Sequence, residues 1–199
     1  MKKNTPFNMI LVLTLTAVFV GGMLAGFFKF VEPKIEENRL REERQAVFSV
    51  LPDVADYRVI EKRIDKKDVV KIFRGVDKDG KLVGYAFLAS GPGFQGIITM
   101  MVGLNVDMKH LTGLKVLEQV ETPGLGDKIR EKWFEDQFKG LSIEPKIEYI
   151  KNRKPEKPNQ IQSITGATIT TKAVANIINK RVRIVIDIIK ETESQTNGG

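Results

Sequence analysis

The chain has 199 residues, of which 42% are hydrophobic and 29% charged, and its formal net charge is +7. This length accommodates one domain with additional segments, and the composition is that of a folded protein. The absence of cysteine and the single histidine, His110, exclude disulfides and thiolate-ligated iron–sulfur clusters and argue against histidine-rich zinc or haem sites. The positive charge suits either nucleic acid or a domain close to anionic lipid headgroups.

The N-terminal segment has the composition of a membrane-spanning helix. Residues 7–28 form an apolar run, and residues 4–28 contain no charged side chain. As a helix, the apolar run would extend roughly 33 Å, enough to cross a hydrocarbon core of ~30 Å. A cleaved signal peptide is the alternative, but its apolar region is only about 7–15 residues long and ends at a small-x-small site. The sequence therefore predicts a short N-terminal segment, residues 1–6, followed by a retained anchor at 7–28.

The charges around this anchor do not settle its orientation. Two lysines precede it, whereas Lys29, Lys34 and several arginines follow it. A count of basic residues would place the large domain inside the cell, but long domains are translocated despite such charges. The residues alone leave the orientation open.

The rest of the chain predicts a stem helix followed by an α+β domain. Residues 29–52 are rich in Glu and Arg, with apolar residues at helical spacing, and Pro33 is expected to end the membrane helix or to open the stem helix. Residues 53–192 are the predicted domain, an antiparallel sheet with packed helices, and residues 193–199 are a predicted flexible tail.

Several segments within the domain have strand or helix patterns. A hairpin turn is expected at 77–80 and another turn near Thr112–Gly113, and residues 151–158 are expected to form a loop. His110 is expected in a turn, and Trp133 on the apolar face of a short helix. The predicted elements are strands at 69–73, 82–88, 97–106 and 114–120, a short helix at 127–138 capped by Asp127, and a long helix at 171–192.

The segment before the long helix is a candidate phosphate site. Residues 163–171 (SITGATITT) combine small residues with several hydroxyls directly ahead of a helix N-terminus. The unpaired N–H groups and the dipole of a helix make such an N-terminus favourable for phosphate. The segment also matches an ordinary capping sequence with Thr170 or Thr171 as the N-cap, and taken alone it favours that interpretation.

Two glycine clusters add to this candidate site. Residues 91–96 (GPGFQG) precede a predicted strand, and residues 121–126 (ETPGLG) follow one. Glycines let the backbone approach a flat ligand closely, and both clusters lie at the ends of elements, where sites gather. Either cluster alone is also typical of an ordinary turn.

Together these segments resemble a known family. The chain resembles the G subunit of the Rnf-type ion-translocating ferredoxin:NAD oxidoreductase complex, and it is also similar to the C subunit of the sodium-pumping NADH:quinone reductase. The resemblance covers nearly the whole chain, from the anchor and stem to the TGAT sequence before the last helix. The family pattern for flavin attachment is Ser/Thr-Gly-Ala-Thr, usually with Asp six residues before the last threonine. Residues 165–168 match this pattern, whereas the upstream position is Gln162.

The resemblance implies a covalently bound cofactor. A separate flavin transferase is expected to join FMN through its phosphate to the Thr168 hydroxyl, and the second glycine cluster is expected to lie beside the isoalloxazine ring. Lys128 could contact the phosphate or simply be solvated, and we favour the second. The residues expected to bind the cofactor are Thr165, Gly166, Ala167 and Thr168 of the attachment sequence, and Glu121, Thr122, Gly124, Leu125 and Gly126 of the second glycine cluster.

The resemblance also implies a role and a location. It implies an electron-carrying subunit that spans the inner membrane once, with its N-terminus in the cytoplasm and its folded domain on the extracytoplasmic side. Expected partners are membrane lipid and the other membrane and peripheral subunits of a redox complex, but no nucleic acid. The alternatives are the FMN-carrying C subunit of a sodium-pumping NADH:quinone reductase, a membrane-tethered flavin domain of a sensor or other reductase, and a non-redox anchor or solute-binding module. The sequence contains no recognisable nucleophile–base set and no Gly-x-Gly-x-x-Gly fingerprint. We therefore assign no catalytic residue and no metal ligand, and expect nicotinamide and ferredoxin chemistry in other subunits.

Overall fold

The computed structural model describes residues 6–65 and 68–196. The chain divides into two compact units, Met1–Glu42 and Glu43–Gly199. The predicted N-terminal segment lies outside the described residues except for Pro6, and so do residues 197–199 of the predicted tail.

The N-terminal helix α1 runs from Pro6 to Val50. Within the described ranges it is the one helix that is long and apolar enough to cross a membrane, and its most apolar stretch is not buried. This finding confirms the predicted long apolar helix at the N-terminus.

Pro33 does not interrupt α1, contrary to prediction. A proline removes one backbone N–H and clashes with the preceding turn, which costs about 3 kcal/mol inside a helix. That single defect falls within a helix of 45 residues, so most of the hydrogen-bond ladder is unaffected. The following turn is also supported by an ion pair in which Arg39 contacts Glu36 at 2.7 Å. The predicted anchor and stem are therefore parts of one continuous helix.

The second unit is built on a five-stranded sheet with the order β1-β2-β3-β4-β5. Each strand pairs with its neighbour in antiparallel register, so the chain forms a meander. This architecture, together with the helices, confirms the predicted α+β class. The strands are β1 (Asp56–Asp65), β2 (Asp68–Val76), β3 (Leu82–Pro92), β4 (Ile97–Leu104) and β5 (Leu111–Glu118).

Alternating side chains place a core on each face of this sheet. Tyr85 and Phe87 belong to the main core, which includes the apolar face of the last helix, α3 (Thr168–Thr196). Ala86, between them, belongs to a smaller core formed with the last turns of α1, including Val47. The strand period of two therefore gives each face its own helix. Because α3 packs on the main-core face of the sheet, this packing fixes the position at which the helix begins.

Some strands were missed or misplaced by the sequence patterns. Most residues of the edge strand β1 are exposed and many are charged. Its sequence therefore lacks the alternation of apolar and polar residues by which a strand is predicted. The turn between β4 and β5 comprises residues 105–110, where Asp107 Oδ1 accepts the N–H groups of Lys109 and His110. Thr112 and Gly113 therefore lie inside β5, whereas His110 lies in the turn as predicted. Two further short strands, β6 (Glu148–Ile150) and β7 (Gln160–Gln162), pair in parallel around the predicted loop.

The predicted short helix at 127–138 is broken into three turns. They are a 3₁₀ turn at Gly126–Arg130, α2 at Lys132–Glu135 and a second 3₁₀ turn at Asp136–Phe138. Glu131 is extended between the first two, which rotates the apolar face of the segment. As a result Phe134 is fully buried while Trp133 is 44% exposed, opposite to the prediction for Trp133. Asp127 does not cap a helix, because no side chain caps the first turn.

The helix α3 is longer than predicted at both ends. It begins at Thr168, so Thr170 and Thr171 lie in its first turn and are not N-caps. It continues to Thr196, and Glu193 accepts a hydrogen bond from the hydroxyl of Tyr85. Burial, together with this carboxylate partner, raises the pKa of the Tyr85 phenol above its ordinary value. The flexible tail therefore does not begin at residue 193.

Candidate functional site

The two glycine clusters and the attachment sequence converge around one cavity. The cavity has a volume of about 260 Å³ and lies where the β3–β4 loop, the segment after β5 and the start of α3 meet. The sequence patterns thus selected segments that the fold brings together. The lining residues are Phe94, Thr122, Leu125, Gly126, Gly166, Ala167, Thr168, Ile169 and Thr170.

Glu121 ties these three segments together from behind the cavity. Its side chain is only 4% exposed. Oε1 accepts the backbone N–H of Phe94 at 2.8 Å and that of Gln95 at 3.0 Å, and Oε2 accepts the hydroxyl of Thr170. Hydrogen bonds to a carboxylate are stronger than those between neutral groups. Glu121 is therefore a buried brace between the loop and α3, and it does not line the cavity as its neighbour Thr122 does.

Two glycines are required by the close packing around this carboxylate. A Cβ atom on Gly93 would overlap Glu121 Oε1. A Cβ atom on Gly126 would lie 2.8 Å from Glu121 Cβ and 2.9 Å from Thr170 Oγ1, closer than real Cβ contacts. Each glycine cluster thus contributes one residue without a side chain to the space that Glu121 occupies.

Gly166 and Gly124 are required by their backbone conformation. Their φ angles are +82° and +75°, in the left-handed region that favours glycine. A Cβ atom on Gly166 would also lie 2.9 Å from Leu125 Cδ2. The turn before α3 and the second glycine cluster therefore touch at this point and close one wall of the cavity.

The threonines near the start of α3 differ in their surroundings. Thr168 is half-buried in the cavity wall, and in the described ranges its hydroxyl makes no hydrogen bond. Thr165 is exposed and does not line the cavity. Thr170 donates to Glu121, while the Thr171 hydroxyl donates to the Ala167 carbonyl oxygen at 3.2 Å. Thr168 is therefore the threonine of this group that offers an uncommitted hydroxyl inside the cavity.

The backbone at the start of α3 is suited to an anion. Ala167 donates its N–H to Ile164 and Thr171 donates to Ala167, but across the described backbone the N–H groups of residues 168–170 have no partner. These groups are the orphan donors of a helix N-terminus, where the dipole of the 29-residue helix adds partial positive charge. A phosphate beside Thr168 would accept hydrogen bonds from these N–H groups and lie close to the positive end of the helix dipole. The sequence did predict this property for the segment.

Sequence reasoning missed three residues of the cavity wall. Phe94 lies in the first glycine cluster, yet its ring was not singled out, and it is 59% exposed at the cavity. An aromatic residue between glycines in a loop was the available signal. Ile169 and Thr170 lie in the candidate phosphate segment, but Thr170 was considered only as a possible N-cap and neither was assigned to the cofactor site. Lys128 is half-buried rather than fully solvated, and it does not line the cavity.

The sequence around this cavity matches a known domain family, and the chain is similar to known proteins. The FMN-binding domain family matches residues 93–183, a range that holds the whole lining of the cavity. The G subunit of the Na(+)-translocating ferredoxin:NAD(+) oxidoreductase complex of Acetobacterium woodii is 33% identical over 172 residues, covering 78% of this chain and 80% of that protein. The G subunit of an ion-translocating oxidoreductase complex of Haemophilus influenzae (strain KW20) is 30% identical, covering 82% of each.

The chain belongs to the G-subunit family of ion-translocating oxidoreductase complexes. This confirms the family that the sequence motifs indicated. The crystal structure of Shewanella oneidensis NqrC shares the fold of this G-subunit family member, with a TM-score of 0.54 over 66% of this chain and 65% of that chain at 22% identity. The C subunit of the Na(+)-translocating NADH-quinone reductase of Parabacteroides distasonis has a TM-score of 0.52 over 64% of this chain and 73% of that chain at 21% identity. Both likenesses concern the fold.

Proposed function

We propose that this chain is the electron-carrying flavoprotein subunit of a membrane-bound ion-translocating ferredoxin:NAD oxidoreductase complex, with FMN joined through its phosphate to the hydroxyl of Thr168. One observation carries the proposal: in the described part of the chain, Thr168 has a hydroxyl without a hydrogen-bond partner, inside a glycine-walled cavity and at a helix N-terminus whose first N–H groups are unpaired. The names of the G-subunit relatives support the complex to which we assign it.

The residues around the cavity fit the parts of FMN. The N–H groups at the start of α3 would hold the phosphate, and the exposed faces of Phe94, Leu125 and Ile169 offer apolar contact to a flat ring. The Thr122 hydroxyl and the amides of its loop offer hydrogen bonds to the polar edge of the ring. When bound, FMN supplies reversible electron transfer, and the protein supplies its orientation and electrostatics.

The size of the cavity favours a relay role. Its 260 Å³ is below the roughly 300–1,000 Å³ of sites that enclose a small molecule. The residues of this chain would therefore cover only part of the cofactor and leave an edge accessible to a partner. A covalent bond to Thr168 would prevent the cofactor from dissociating, although such a shallow site does not enclose it.

The maturation and location of the protein complete the proposal. A separate flavin transferase would make the phosphoester, in keeping with a sequence in which we recognise no nucleophile–base set. The apolar part of α1 would anchor the chain in lipid, and this tethering raises the effective concentration of the domain beside the other subunits. We place the N-terminus in the cytoplasm and the folded domain on the extracytoplasmic side of the inner membrane.

The relay is tested in the assembled complex. Thr168→Ala should abolish in-gel flavin fluorescence of this subunit and the ferredoxin-linked activity of the complex, while all subunits remain assembled. Thr168→Ser is the matched control, because it keeps a hydroxyl at the same place and should retain part of both signals. Full activity of an assembled Thr168→Ala complex would contradict the proposed role.

A further inference from the structure

A second concave surface runs along α3 beside the flavin cavity. We call it the cationic groove: a space of about 690 Å³ between α3 and the end of β3. Gly91 and Ile177 form its apolar floor, and a Cβ atom on Gly91 would lie 2.7 Å from Ile177 Cγ1, so the glycine lets strand and helix come this close. Lys172, Asn176 and Lys180 follow one another at intervals of four residues and line the same face of the helix.

The groove carries uncompensated positive charge. Lys172 and Lys180 are exposed, and neither has an ion-pair partner in the portion of the chain that the structure describes. Arg181, at its edge, is already neutralised by Asp68, which accepts both guanidinium nitrogens at 3.0–3.1 Å. The sequence has no acidic residue between Glu156 and Asp187. Among the residues that line the groove, Asp68 is the acidic one, and its pairing with Arg181 leaves the two lysines as the uncompensated charges.

The groove and the flavin cavity share a wall. Ile169 lines both, one residue after the proposed attachment site at Thr168. A molecule seated in the groove would thus lie next to the mouth of the cavity. A partner that exchanges electrons with the flavin has to bind this close to it.

We propose that the cationic groove binds an acidic, extended segment of the subunit that exchanges electrons with the flavin. This inference rests on the proposed function. Lys172 and Lys180 are eight residues apart, roughly 12 Å along the helix axis. In an extended segment at about 3.3 Å per residue, side chains four positions apart have a similar spacing and point to the same side. Two acidic side chains in that arrangement would meet the two lysines, with an apolar residue between them over the floor.

The shape favours a protein segment over a lipid surface. A membrane surface is broad, whereas here the apolar floor is recessed between the lysines and is formed by close packing of strand and helix. Charge complementarity of this kind speeds association and fixes the orientation of the partner.

The test uses a photo-crosslinking amino acid in cells that produce the whole complex. Placed at Asn176, within the groove, it should form an adduct with one segment of another subunit that contains at least two acidic residues. Placed at Asp187, exposed on α3 outside the groove, it should not form that adduct. The Lys180→Glu substitution should reduce the Asn176 adduct roughly fivefold or more, because it reverses one charge of the match. The Lys190→Glu substitution, on the same helix outside the groove, is the matched control and should leave the adduct unchanged.

Several results would overturn the inference. These are an adduct with lipid, no adduct at position 176 in an assembled complex, or an adduct that Lys180→Glu leaves unchanged. If Lys180→Glu prevents assembly, the wild-type adduct is compared at low and high salt, and a yield independent of salt counts against the groove. Flavin fluorescence of this subunit is read on the same gels. Absence of the fluorescence from wild type would contradict the proposed function, whereas absence of the wild-type Asn176 adduct from a subunit that is still fluorescent contradicts only the groove.

Discussion

Replacing Glu121 with alanine should destabilise the domain strongly. The substitution removes the acceptor of two backbone N–H groups and of the Thr170 hydroxyl. It also leaves an empty space where Gly93 and Gly126 were packed against the carboxylate. The loop and the start of α3 would then have no polar link at this point.

The magnitude follows from these three hydrogen bonds. A hydrogen bond to a charged group contributes about 1.5–3 kcal/mol. Water can reach part of the loop once the brace is gone, because Phe94 and Gln95 are exposed, so we take the low end of that range. Glu121→Ala should therefore lower the free energy of unfolding by roughly 4.5 kcal/mol, about 1.5 kcal/mol for each of the three hydrogen bonds. Glu121→Gln keeps one oxygen acceptor and the same shape, and it should lower the free energy by about 1 kcal/mol.

Thermal unfolding of the flavin-free chain in detergent measures this difference. The fluorescence of Trp133, the single tryptophan, reports on the unit that contains the site. For a chain of this size, each kcal/mol shifts Tm by about 2–4 °C. The alanine variant should therefore melt roughly 9–18 °C below wild type, and the glutamine variant about 2–4 °C below. Equal Tm values for alanine and wild type, or equal losses for the two variants, would refute the bracing role.

The remaining predictions concern the cavity wall and the topology. Gly166→Ala should destabilise the fold by about 1–2 kcal/mol, because an L side chain is disfavoured at its positive φ and would press on Leu125, and chemical denaturation would show this as a lower midpoint. Thr122→Ala should retain the covalent flavin but change its reduction potential in a redox titration. An unchanged potential would show that the Thr122 hydroxyl does not contact the ring. A cysteine at Ser194 should react with an impermeant maleimide in intact cells, since the chain has no other cysteine; protection until lysis would reverse the proposed orientation.

The segments of the site could be predicted from the sequence because the motifs that mark them are local. The glycines at 124 and 166 are needed for backbone conformations that few other residues adopt, so their motifs are visible in a linear chain. The apolar run at residues 7–28 and the face of α3 were equally clear from composition and period. The meeting of the three segments was supplied by family resemblance rather than by the residues.

What the sequence did not predict depends on long-range contacts. Glu121 was assigned to the ring edge, yet its partners Phe94 and Thr170 are 27 and 49 residues away along the chain. No pattern within the second glycine cluster distinguishes a brace from a cofactor contact. Trp133 was misplaced because one extended residue, Glu131, breaks the helical period assumed for that segment. The basic face of α3 gave no local signal of a groove, since its floor is completed by Gly91 from β3.

The mass of the peptide that contains Thr168 tests the central claim most directly. The chain is purified after co-expression with a flavin transferase, digested and analysed by fragmentation that retains phosphoesters. The account predicts one adduct, equal in mass to FMN less water, on Thr168 and on no other residue of the peptide. An adduct on Thr165 or Thr170, or an unmodified Thr168 in a chain that nevertheless holds flavin, would contradict it.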